Sequence, residues 1–112
     1  MKTLSLLGCT GSIGKNVLAV VRLYPDRFRI AGLSAGKNIK ELATQVLEFE
    51  PECISVADAS SVAPLAEMLP SKYQERIFWG NQGNRKVATL ESVDMVISAV
   101  VGAVGLLPTL DA

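Results

Sequence analysis

Hydrophobic positions along the chain alternate between short continuous runs and longer stretches of helical spacing. Leu4-Ser5-Leu6-Leu7 has the pattern of a buried strand and leads directly into Gly8-Cys9-Thr10-Gly11-Ser12-Ile13-Gly14. Ile13, Val17, Leu18, Val20 and Val21 then recur at helical spacing until Tyr24-Pro25-Asp26, where proline blocks continuation. A second strand is expected over 28–33, and Asn38 is placed to cap a helix carrying Leu42, Val46, Leu47 and Phe49. Residues 53–56 read as a third strand, after which Asp58 or Ser60 can cap a helix through Val62, Leu65, Ala66 and Leu69 that stops at Pro70. A weaker strand over 76–79, a turn at Gly80-Asn81, a short helix over 82–88 and a fifth strand over 93–98 complete the pattern. Strands alternating with helices predict right-handed crossovers and a parallel sheet covered on both faces, which is an open, doubly wound α/β domain.

The chain has 112 residues, enough for one domain, and with 49% apolar and 20% charged residues it can bury a proper core. Eleven Lys plus Arg balance eleven Asp plus Glu, so no basic field exists to hold nucleic acid or an anionic membrane surface. Histidine is absent, which removes Ser-His-Asp and Cys-His nucleophile systems and His-ligated zinc. Cys9 and Cys53 do not make a disulfide framework, and a reducing cytoplasm is the simpler setting. The longest apolar run, residues 96–107, is interrupted by Ser98, Gly102 and Gly105 and falls short of the roughly 18 residues of a membrane span. No signal or transit segment is expected ahead of the first strand. Gly105-Leu106-Leu107-Pro108-Thr109-Leu110-Asp111-Ala112 reads as a helix that starts at Pro108 and stops within about a turn, too short to be stable alone. The expectation is therefore that residues 1–112 are the N-terminal part of a longer protein.

The candidate chemistry sits in the glycine loop. Its glycines fall three apart, a departure from G-x-G-x-x-G, but the setting of strand, loop and helix is kept. Gly8 would let the strand turn sharply, Gly11 would let the backbone approach a pyrophosphate, and Gly14 would permit close helix packing. The free N–H groups opening the first helix, with the positive end of its dipole, would attract phosphate oxygens, and Thr10 and Ser12 add hydroxyl donors. A tight βα turn with no ligand is the alternative. NAD-preferring domains place a carboxylate at the end of the second strand, about 20 residues on. None occurs between Phe28 and Lys40; Gly36-Lys37-Asn38 instead offers a cation, an amide and a flexible backbone, which suits the 2′-phosphate of NADP. Read otherwise, Lys37 is a solvated charge ahead of a helix.

Residues 98–105 lie at the carboxyl end of the fifth strand, where small side chains would admit a dinucleotide, or where Gly102 and Gly105 only break a buried strand. Cys9 has no base near it in sequence and reads as a small packed residue. Asp58, Asp94, Glu48, Glu50 and Glu52 show no spacing that closes a metal site and read as caps and solvated charges.

The loop over 8–14, then Ala35-Gly36-Lys37-Asn38, then Ala99-Val100-Val101-Gly102-Ala103-Val104-Gly105-Leu106-Leu107-Pro108-Thr109-Leu110, closely resemble the N-terminal domain of 1-deoxy-D-xylulose 5-phosphate reductoisomerase. Leu47-Glu48-Phe49 and Pro51 fit the same pattern, and the resemblance runs over the whole chain. A G-x-T-G-x-x-G loop alone also occurs in aspartate-semialdehyde dehydrogenases and related reductases. The resemblance implies a Rossmann-like NADPH-binding domain of an enzyme of the non-mevalonate isoprenoid pathway. That enzyme converts 1-deoxy-D-xylulose 5-phosphate to 2-C-methyl-D-erythritol 4-phosphate, using NADPH and a divalent metal, magnesium or manganese, as a homodimer. It further implies that Thr10, Gly11, Ser12, Ile13, Gly36, Lys37 and Asn38, alongside Gly8, hold the cofactor. The catalytic groups, metal carboxylates and substrate-phosphate site would lie beyond Ala112. A stand-alone NADP-binding module and a fragment of a semialdehyde dehydrogenase are the other readings.

Overall fold

The computed structural model describes residues 2–36 and 38–98. Five strands, β1 (Lys2–Leu7), β2 (Phe28–Ser34), β3 (Cys53–Val56), β4 (Ile77–Trp79) and β5 (Met95–Ser98), form one parallel sheet in the order β4-β3-β2-β1-β5. The helices α1 (Ser12–Leu23), α2 (Ile39–Phe49), α3 (Val62–Met68) and α4 (Gly80–Ala88) alternate with them. The expected doubly wound α/β domain is therefore present.

Side chains along β1 divide between two cores as strand geometry requires. Leu4 and Leu6 enter a cluster with Leu18 and Val21 of α1, Leu42 and Val46 of α2, and Leu65 of α3. Leu7 enters a second, smaller cluster with Cys53 and Val87, the last on α4. Thus α1, α2 and α3 cover one face and α4 the other. Ser5 also points to the α4 side, where its buried hydroxyl donates to the Val87 carbonyl at 2.6 Å.

Several boundaries differ from the sequence-based expectation. The turn expected at Gly80-Asn81 is made by Gly80 alone at φ +67°, so α4 begins at Gly80 rather than at Gln82. Neither Asp58 nor Ser60 caps α3: Ala59–Ser61 forms a 3₁₀ turn that carries the chain into the helix, with no side-chain cap from Asp58. That helix stops at Met68, one residue short of Leu69. The fifth strand begins at Met95, not Val93, because the Val93 amide is turned back to the Leu90 carbonyl at 3.1 Å. Asp94 then clamps this strand to β1: its amide donates to the Thr3 carbonyl and its carboxylate accepts from the Thr3 amide, both at 2.8 Å. The apolar segment and short helix expected over 99–112, and Lys37, lie outside the described residues.

Candidate functional site

The strand order reverses at β1. Successive strands β2, β3 and β4 build outward on one side of it, and β5 returns to the other. The carboxyl ends of β1 and β5 therefore form a topological switch point, the place where open α/β sheets bind ligands. The glycine loop leaves β1 there.

A glycine turn and several hydrogen bonds set the loop's path, the Gly11 amide donating back to the Gly8 carbonyl at 3.3 Å. Gly8, at φ +78°, makes the turn that only glycine takes freely. The amides of Gly8 and Cys9 both donate to the Ser34 carbonyl at the end of β2, at 2.7 and 2.9 Å. Gln45 of α2, buried at 5% exposure, donates from Nε2 to the Cys9 carbonyl at 2.9 Å. Ser34 is tied in turn to Asn84 of α4 by its hydroxyl, so both faces of the sheet reach the loop's anchor.

The loop then opens α1 without a side-chain cap among the described residues. Gly11 is the N-cap, and the first turn holds no acidic residue. The helical ladder starts where the Lys15 amide meets the Gly11 carbonyl at 2.9 Å, so the amides of Ser12, Ile13 and Gly14 come before it. Gly11, Ser12 and Ile13 are exposed and Thr10 is half-buried; an isoleucine 54% exposed at the mouth of the loop is spare apolar surface for a ligand.

The glycines separate into two kinds. A Cβ on Gly14 would lie 2.3 Å from the Gly8 oxygen and 2.7 Å from the Cys9 Cα, so glycine there is demanded by packing of α1 on the loop. A Cβ on Gly11 would meet only the Gly8 oxygen, at an ordinary 3.7 Å, and one on Gly36 would meet nothing within 4 Å. Gly11 has φ −77°, accessible to any residue, so neither packing nor backbone conformation calls for glycine there. Both positions face open space beside the carboxyl ends of β1 and β2. Both would let another group approach the backbone closely, beside helix-opening N–H groups of the kind that anions accept from.

Of the other expected site residues, Asn38 caps α2, its Oδ1 accepting from the Glu41 amide at 3.2 Å. Lys15 at the start of α1 pairs with Glu41 at 3.7 Å. Cys9 is fully buried, and that burial pushes its thiol up to about 12, as expected of a packed residue and not of a nucleophile. The acidic residues are surface partners: Glu48 is hydrogen-bonded to Arg22, Glu52 to Arg29 and Ser92, and Glu50 lies 3.9 Å from Lys72. Among the described residues no group of three His, Cys, Asp or Glu side chains converges as metal ligands would.

Sequence reasoning missed Ser34, Asn84 and Gln45. Gln45 had a signal: it shares the helix face of Leu42, Val46 and Phe49, where a polar side chain is out of place. Ser34 acts through its backbone carbonyl, and its hydroxyl partner lies in a distant helix, so neither had one.

These features define a Rossmann-like α/β domain whose glycine loop sits at the switch point of the sheet. A family model, that of 1-deoxy-D-xylulose 5-phosphate reductoisomerase, matches residues 4–112. The chain belongs to this family. It is 50% identical over 112 residues to the 1-deoxy-D-xylulose 5-phosphate reductoisomerase of Pelodictyon phaeoclathratiforme, covering all of this chain and 29% of that relative. It is 46% identical over 113 residues to the Photorhabdus laumondii protein of the same name, of which it covers 28%. A crystal structure of the reductoisomerase in complex with NADPH, fosmidomycin and magnesium superimposes with a TM-score of 0.87 at 35% identity, over 99% of this chain and 27% of that one. The Zymomonas mobilis enzyme in complex with NADPH does so with 0.87 at 30% identity, over 99% and 29%. The chain thus spans under a third of the length of these relatives, and the family match displaces the semialdehyde dehydrogenase reading.

Proposed function

We propose that residues 1–112 are the NADPH-binding part of a 1-deoxy-D-xylulose 5-phosphate reductoisomerase, with Gly8, Thr10, Gly11, Ser12, Ile13, Gly36, Lys37 and Asn38 as the cofactor site. The observation that carries this reading is the pair Gly11 and Gly36, glycines that the fold itself does not require, flanking exposed helix-opening amides. In this reading the amides of Thr10, Ser12 and Ile13 and the hydroxyls of Thr10 and Ser12 bind the diphosphate, the Gly11 amide being held by the Gly8 carbonyl at 3.3 Å. Gly36 gives the adenosine ribose room, and Lys37 and Asn38 meet its 2′-phosphate. The coenzyme supplies a hydride for reduction of the rearranged substrate; these residues bind and orient it. Solved relatives named for complexes with NADPH and with magnesium support both the coenzyme and the metal.

The whole protein would rearrange and reduce 1-deoxy-D-xylulose 5-phosphate to 2-C-methyl-D-erythritol 4-phosphate, as a cytoplasmic homodimer without nucleic-acid or membrane partners. A magnesium or manganese ion, the substrate and the catalytic groups would be held by the part of the chain that follows. Residues 1–112 alone would therefore bind coenzyme without turning it over. Calorimetric titration of the full chain with NADPH and NADH tests the assignment. NADPH should bind more tightly, and Lys37→Ala should weaken NADPH while leaving NADH unchanged. Equal affinity for the two, or a preference for NADH, overturns it.

A further inference from the structure

Gln45 is an unusual residue for its place. It sits on the buried face of α2 with its Nε2 donating to the Cys9 carbonyl, while its Oε1 is buried without a hydrogen-bond partner among the described residues. A half-satisfied amide in a core costs stability, and leucine or methionine would fill the same space without that cost. What the amide does accomplish is directional. The Cys9–Thr10 peptide is trans, so its C=O and N–H point in opposite directions. Holding the Cys9 carbonyl inward against α2 turns the Thr10 N–H away from α2. Ser34, by accepting from both the Gly8 and Cys9 amides, holds the near side of the same turn. The loop is thus pinned from two elements, and among the described residues the side-chain contact falls on the peptide just ahead of the exposed residues Gly11, Ser12 and Ile13.

We propose that Gln45 is a positioning residue for the diphosphate: it fixes the orientation of the Cys9–Thr10 peptide so that the Thr10 amide is aimed at the bound phosphate oxygens. This rests on the loop's being the coenzyme site, and the consequences for different ligands separate the two statements. NADPH and NADH share the diphosphate, so loss of the Gln45 contact weakens both by the same factor and leaves their ratio unchanged. Adenosine 2′-monophosphate has no diphosphate and engages only the adenosine end, so its affinity does not move.

The test is calorimetry on the full chain carrying Gln45→Met, with thermal unfolding measured in parallel. The expected result is a loss of about five- to tenfold in affinity for both NADPH and NADH, the equivalent of one net hydrogen bond, with adenosine 2′-monophosphate binding as to wild type. Gln45→Asn, whose amide is one methylene short of the Cys9 carbonyl, is read in the same way and carries the test should the methionine variant not fold. Unchanged coenzyme affinity in a folded variant overturns the proposal. So does equal weakening of all three ligands, which marks a general structural role. Failure of the wild-type chain to bind NADPH removes the site assignment instead.

Discussion

Substituting alanine at Gly14 and at Gly11 separates a glycine required by packing from one required by a ligand. At position 14 the added methyl would lie 2.3 Å from the Gly8 oxygen, 2.7 Å from the Cys9 Cα and 2.8 Å from the Cys9 carbonyl carbon. All three are backbone atoms and cannot swing aside, so α1 must lift from the loop. Overpacking of that kind costs about 1–3 kcal/mol, here at the upper end, against about 1 kcal/mol gained by replacing glycine with alanine inside a helix. The net expected for Gly14→Ala is a destabilisation of about 2 kcal/mol, read as a lower midpoint in urea unfolding followed by circular dichroism. At position 11 the methyl has an ordinary 3.7 Å neighbour. Losing glycine at an N-cap and restricting the unfolded chain nearly cancel there, so Gly11→Ala should keep its stability within about 0.5 kcal/mol. Its coenzyme affinity should nonetheless fall by at least about tenfold, since the methyl occupies the space through which a diphosphate reaches the backbone. Equal destabilisation by the two substitutions, or wild-type NADPH affinity in Gly11→Ala, would refute this division of roles.

Two further expectations follow from charge and burial. Burial raises the Cys9 thiol from 9.0 to about 12 and the Cys53 thiol to about 11. Both should resist a thiol reagent such as dithionitrobenzoate at pH 8 in the native chain and react only after denaturation; rapid native labelling of either contradicts the packing. The same shifts mean that stability declines as the pH rises above about 9, where the unfolded thiols ionise and the folded ones do not. On the acid side, the hydrogen-bonded Arg22 guanidinium holds Glu48 below its ordinary 4.5, so the pair's contribution is present above that value and is lost as the pH falls below it through Glu48's depressed folded value. The pair is on the surface, so Arg22→Ala should lower the urea midpoint only slightly at neutral pH and still less in high salt; a large loss that salt does not reduce would mean that Arg22's stacking on Phe49, 5.5 Å from the ring centre, matters more than its charge.

The elements and the loop were legible because each is a local pattern: apolar runs for strands, spacing of 3.6 for helices, and a strand running straight into glycines. Asn38 was readable as a cap for the same reason, its partner being three residues away. What escaped the sequence depends on distance along the chain. Gly32 looks like an ordinary strand residue, yet a Cβ there would lie 2.6 Å from the Ser5 hydroxyl and 2.7 Å from Val87, so it lets α4 settle on the sheet. The start of α4 was misplaced because Gly80 turns the chain within one residue where two were expected. Within the site, the glycines and hydroxyls were visible, and Gln45 stood out as a polar residue on an apolar helix face, but its partner Cys9 and the Ser34 support became visible only when β2 and α2 were brought beside the loop.

The most direct test of coenzyme binding at the glycine loop is a crystal structure of the full chain soaked with NADPH. The diphosphate should lie over the amides of Thr10, Ser12 and Ile13, with the adenosine 2′-phosphate beside Lys37 and Asn38. A coenzyme bound elsewhere, or a loop left empty while the protein turns NADPH over in solution, would contradict it.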